Sequence, residues 1–105
     1  MDVWNRLMGM SGEHCYTITQ KRPATMNVDT EKVTINYSSG RSLVIRREMV
    51  EAAYNRLVHQ GKLTIDDAFD ITQNKDRTDR IMAVLSRLDD VTSSSNPREL
   101  YHRGR

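Results

Sequence analysis

A single cysteine, Cys15, is all the sulfur chemistry the 105-residue chain has beyond methionine, so an internal disulfide is excluded. The three histidines, His14, His59 and His102, lie too far apart in sequence for any local zinc spacing. Only two prolines and five glycines occur, too few for a linker-like or low-complexity chain. No apolar run approaches the ~20 residues of a membrane span. The opening MDVWNRLMGM has no basic stretch followed by an apolar one and a cleavage site, so the expected location is the cytoplasm. Neither charge sign dominates: 16 Lys and Arg against 14 Asp and Glu leave +2, no global mandate to bind nucleic acid.

What is present suits one small globular domain spanning 1–105, with 37% hydrophobic and 29% charged residues. Residues 1–12 read as an arm or short helix: Val3, Trp4, Leu7 and Met8 fall at helical spacing behind Asp2, a candidate N-cap, with Trp4 as buried anchor. Residues 15–46 read as a small antiparallel sheet. Tyr16 and Ile18 alternate with threonines from Cys15 to Gln20, and Pro23 ends that segment. A clearer strand runs Lys32 to Ser38 with Val33, Ile35 and Tyr37 on one face; Ser38-Ser39-Gly40-Arg41 turns, and Leu43 and Ile45 resume the alternation.

Helical spacing begins near Arg47, where Met49, Val50, Ala53, Tyr54, Leu57 and Val58 form a stripe that Gly61 closes as a C′ residue. Thr64 with Asp67 three positions on reads as a capping box with Asp in place of Glu, opening a helix whose buried side is Ile65, Ala68, Phe69 and Ile71. After the polar break Gln73-Asn74-Lys75-Asp76, Ile81, Val84, Leu85 and Leu88 recur at i, i+3, i+4 and i+7, a third helix from about Arg77 to Leu88. Past Asp90, Val91 to Ser94 and Arg98 to His102 either pair as a hairpin or form a basic tail, and Leu100 and Tyr101 favour the hairpin. The expected class is therefore α+β, with a small antiparallel sheet packed on three helices.

From Arg47 to Arg103, the order helix, short helix, turn, third helix, hairpin resembles a winged helix-turn-helix. That likeness implies that residues 65–72 and 77–88 form the helix-turn-helix, that the third helix enters the major groove, and that the hairpin is the wing. The preceding VTINYSSGRSLVIRREMVEAAYNRLV is similar to the strand, turn, strand, helix opening of small modules in bacterial restriction and phage-defence proteins.

At ~100° per residue, the third helix sets Asp79, Ala83 and Ser86 opposite its apolar stripe, flanked by Arg80 and Arg87. Small residues between arginines permit close approach to a groove. The candidate contacts are Thr78, Arg80, Ala83 and Arg87 on the helix, Lys75 and Arg77 at its N-terminus, and Arg98 and Arg103 on the hairpin. Residues 91–105 hold three arginines and one glutamate, the one local positive excess. Asp76, Asp79, Asp89 and Asp90 work against phosphate, and an Arg-bearing helix face is equally well explained as solvated surface.

Other constellations read as structural. Asp66, Asp67 and Asp70 are partners of a helix dipole, with no histidine beside them to complete a metal site. His14 and Cys15, adjacent on a strand, point to opposite faces. Asp29-Thr30-Glu31-Lys32 lacks the spacer of a nuclease motif. The tyrosines suit half-buried packing rather than base stacking, and Met82, off the apolar stripe, reads as a subunit contact. No enzyme and no cofactor is expected. The expected partner is double-stranded DNA, as for a regulator or a defence accessory protein. The alternative is another protein, bound by an inhibitor or accessory subunit; a homodimer fits either.

Overall fold

The computed structural model describes residues 3–12, 24–95 and 98–103. It contains four helices and two three-stranded antiparallel sheets, a mixed α+β arrangement. Helix α1 is Val3–Met8, followed by β1 (Ala24–Val28), β2 (Lys32–Tyr37) and β3 (Ser42–Arg46). Then come α2 (Arg47–Gln60), β4 (Lys62–Thr64), α3 (Ile65–Thr72), α4 (Lys75–Leu85), β5 (Val91–Ser95) and β6 (Arg98–His102).

The first sheet runs β1-β2-β3. Its register sets Met26 opposite Ile35 and Val28 opposite Val33, with Leu43 and Ile45 beyond them, so a period of two delivers one apolar face to the core. Thr25, Asn27, Thr34 and Asn36 occupy the other face. Gly40 takes φ +91° in the β2–β3 turn, a conformation open to glycine without a Cβ clash. The second sheet runs β4-β6-β5, so β6 is central and the hairpin expected after residue 90 is present, Val91 pairing with His102 and Ser95 with Arg98.

Local signals in the sequence account for the helix ends. Gly61 closes α2 at φ +81°, its amide reaching Leu57 O. Thr64 Oγ1 accepts from Asp67 N while Asp67 Oδ2 accepts from Thr64 N, so both halves of the capping box form. Trp4 is buried as expected, and its Nε1 donates to Asp29 O at 2.8 Å. The buried apolar side chains make one continuous core from Val3 to Leu100.

Several expectations change. Strand β1 over Ala24–Val28 was not expected; the strand expected over Cys15–Gln20 lies outside the described residues, as do Asp2, His14, Cys15 and Tyr16. The short β4, also not expected, pairs with the outer side of β6, Leu63 opposite Leu100. Helix α4 runs from Lys75 to Leu85, and turns carry Ser86–Leu88. Val58, expected in the core stripe of α2, is 40% exposed. Met82, expected at a subunit contact, is buried in the chain's own core, because the second half of α4, Arg80 to Leu85, is enclosed all round.

Candidate functional site

Helix α4 was the expected reading element, so its surroundings decide what can act. Buried residues include Thr78 and the unbroken run Arg80 to Leu85. A helix with apolar contact around its whole circumference belongs inside a fold, not in a groove. It meets α2, α3 and β3, and Arg98 of β6 reaches it through Nη1 to Asp79 Oδ1 at 2.6 Å.

Three of the eight expected contact residues are therefore corrected. Arg80 is 2% exposed, and its guanidinium carbon stands 4.6 Å from the centroid of the Tyr37 ring on β2. Such an arrangement lets the quadrupole of a ring stabilise a cation that burial would otherwise penalise. Thr78 Oγ1 lies 2.6 Å from Thr72 Oγ1 and donates to Asn74 O at 2.8 Å, which makes it part of the α3–α4 corner. Ala83 has no exposed surface at all.

Two more are half-buried and engaged within the molecule: Arg77 Nε donates to Val44 O at 2.9 Å, and Arg98 holds Asp79. Lys75, Arg87 and Arg103 are exposed, Arg103 donating from Nη2 to Asp89 O. The structure thus does not gather the eight into one surface: three are buried and two are engaged within the molecule.

A polar cluster that sequence reasoning missed lies at the other end of α4. Asp90 Oδ1 accepts from Arg6 Nη1 at 3.0 Å, and its Oδ2 accepts from Tyr54 Oη at 2.6 Å and faces His102 Nε2 at 3.0 Å. Arg6 Nη2 also donates to Tyr54 Oη at 2.7 Å, with the guanidinium 5.3 Å from the ring centroid, and the Tyr54 and His102 rings meet edge to face. Burial, the largest single influence on Asp90, would raise its carboxyl; the hydrogen bonds from Tyr54, Arg6 and His102, with the Arg6 charge, together hold it below the usual value. Burial and the Asp90 bond push the Tyr54 phenol up. The register of β5 on β6 was the available signal, since it carries Asp90 to the end of the strand that ends in His102. Chemically the cluster is a latch: both carboxylate oxygens are taken by donors of the chain itself, from α1, α2 and β6.

Two shallow clefts lie among the described residues. One, 240 Å³, is lined by Tyr37, Ser39, Arg41, Ser42, Leu43 and Asp76; the other, 360 Å³, mixes Lys32, Arg46 and Arg47 with Glu31 and Glu48. Ligand pockets usually hold ~300–1,000 Å³ behind mainly apolar walls. Among the described residues no three or more His, Cys, Asp or Glu are grouped to hold a metal ion. Asp67 instead caps α3 and pairs with Arg56 at 3.3 Å. No described helix is long and apolar enough to cross a membrane.

No protein-family model, no curated protein and no solved structure matches the chain.

Proposed function

We propose that the protein is a small non-catalytic binding module whose partner is another protein. One observation carries this reading: at the centre of the side of α4 that a duplex would meet, Arg80 and Ala83 are packed inside the molecule, Arg80 beneath Tyr37. Reading base edges requires side-chain tips free to enter a groove ~12 Å wide. What stays outside is of mixed charge sign, with Phe69 on α3 42% exposed and Tyr101 on β6 37% exposed. Aromatic side chains are enriched at protein interfaces, where they supply area at low conformational cost. Phe69→Ser and Tyr101→Ser are each expected to change folding stability by less than about 0.5 kcal/mol, measured by urea unfolding. A loss well above that would make these side chains part of the fold and remove them as contacts.

A second reading keeps double-stranded DNA as partner, as for a regulator or defence accessory protein of bacterial or phage origin. It draws support from the element order α2, α3, α4 and hairpin β5–β6, and from exposed Lys75, Arg87 and Arg103. Contact would then be with backbone phosphates. One experiment separates the two: titration of a random-sequence duplex at ~50 and 200 mM salt. The protein-partner reading expects no binding at either. Binding at the lower salt that collapses at the higher one replaces it with the second.

A further inference from the structure

Among the described residues four strand edges bound the two sheets, and on three of them an outward backbone group at or beside the middle of the strand is engaged within the chain. On β1, Met26 O accepts from Gly12 N at 2.6 Å and Val28 N donates to Ser11 Oγ at 2.8 Å. On β3, Val44 O accepts from Arg77 Nε. On β4, Lys62 O accepts from Gln60 Nε2 at 3.1 Å, and Thr64 N is held by Asp67. Strand β5 differs. Its register with β6, together with the Arg103 N to Asp90 O bond, turns the amides of Thr92 and Ser94 inward and those of Val91 and Ser93 outward. Val91 N is taken by Leu88 O at 3.2 Å, whereas nothing among the described residues lies on the outward N–H and C=O of Ser93.

We infer that the β5 edge is a self-association surface, on which a second copy of this chain pairs antiparallel about a two-fold axis through Ser93. Natural sheets protect open edges with charge, proline or a covering side chain. The strand Val91-Thr92-Ser93-Ser94-Ser95 has no charged residue and no proline. Self-pairing about a two-fold sets like residues against like, which penalises any charged strand and costs this one nothing; hydroxyl-bearing neighbours across strands are favourable. Thr92 and Ser93 are both exposed although they point to opposite faces, so approach is clear from either side. An uncharged edge selects no charged foreign peptide, whereas a copy of itself matches in length and twist. The donor and acceptor of Ser93 satisfy those of its mate, making one six-stranded sheet across the pair. A five-residue edge buries far less than the ~1,200 Å² of a stable complex, so the dimer is weak and depends on concentration. This inference goes beyond the proposed function and holds whichever partner that has.

Sedimentation equilibrium of the full chain from ~10 µM to 1 mM, at low and high salt, tests it. The mass is expected to rise from 12.1 kDa toward twice that value, with the Ser93 amide gaining protection from hydrogen exchange in parallel. Ser93→Lys sets two like charges face to face and should raise the half-association concentration at least tenfold at low salt, with partial recovery at high salt. Ser93→Pro removes the outward donor and should do the same at both. Far-ultraviolet circular dichroism checks that each variant keeps its fold, since this amide bonds to nothing within the hairpin. A monomer at every concentration overturns the inference, as does a dimer indifferent to both variants. Protection of the Ser93 amide only when a different protein is added assigns the edge to that partner and overturns self-pairing.

Discussion

Helices α3 and α4 are neighbours joined at one corner, yet burial treats them in opposite ways. Helix α3, IDDAFDIT, buries only Ala68 and Thr72 and leaves Phe69 in solvent. Helix α4, KDRTDRIMAVL, has five charged residues in its first six and buries seven of its eleven. The difference comes from what lies around each one. Helix α3 packs on α2, β4 and α4 with its Phe69 side left open, whereas α4 has α2, α3, β3 and the Arg98 of β6 against it. Burial is thus a property of position in the assembly, and a charged side chain becomes a core residue where an aromatic face receives it.

Arg80→Ala attacks that contrast most directly. Losing a large buried side chain and its packing on Tyr37 should cost about 2–4 kcal/mol by urea unfolding, while Lys75→Ala, on the exposed first turn, should stay within about 0.5 kcal/mol. Equal effects would place Arg80 on the surface and erase the difference between the two ends of α4. Asp90→Asn tests what fastens the turn after α4: three donors lose a charged acceptor, for an expected loss of about 1–3 kcal/mol. Because the Asp90 carboxyl is held below its ordinary value, its contribution is present above the unfolded-state value and disappears as pH falls through the folded one. Thermal unfolding of the wild type should therefore drop more steeply than that of Asp90→Asn on acidification through the carboxylate range. Thr64→Ala removes one half of the α3 capping box, at about 1 kcal/mol; a loss as large as that of Arg80→Ala would make α3 as central as α4.

Features set by near neighbours in the chain were readable in advance. The β2–β3 hairpin follows from alternation and a glycine turn, the end of α2 from Gly61, the start of α3 from Thr64 and Asp67, and the β5–β6 hairpin from Leu100 needing cover, although Tyr101 beside it stays exposed. Features set by distant contact were not. Ala24, Met26 and Val28 alternate with Thr25 and Asn27, but over five residues only, and Lys62–Thr64 is too short to show a period of two. The stripe Ile81, Val84, Leu85 and Leu88 identified one buried side of α4 correctly, but no pattern within a helix announces that a sheet some forty residues earlier covers the rest. Met82, Ala83 and Arg80 were misplaced for that one reason. Val58 erred the other way, lying on the stripe of a helix whose cover stops short of it.

The Asp90 latch joins Arg6 to a carboxylate 84 positions further on, and His102 closes on it from the other end of the described chain. Contacts spanning so long a loop become affordable only after the intervening elements have shortened it. The latch should accordingly be absent from the rate-limiting barrier: its removal accelerates the unfolding limb of a chevron and leaves the refolding limb unmoved. Asp90 thus governs how long the native state lasts once made, not how quickly it is reached.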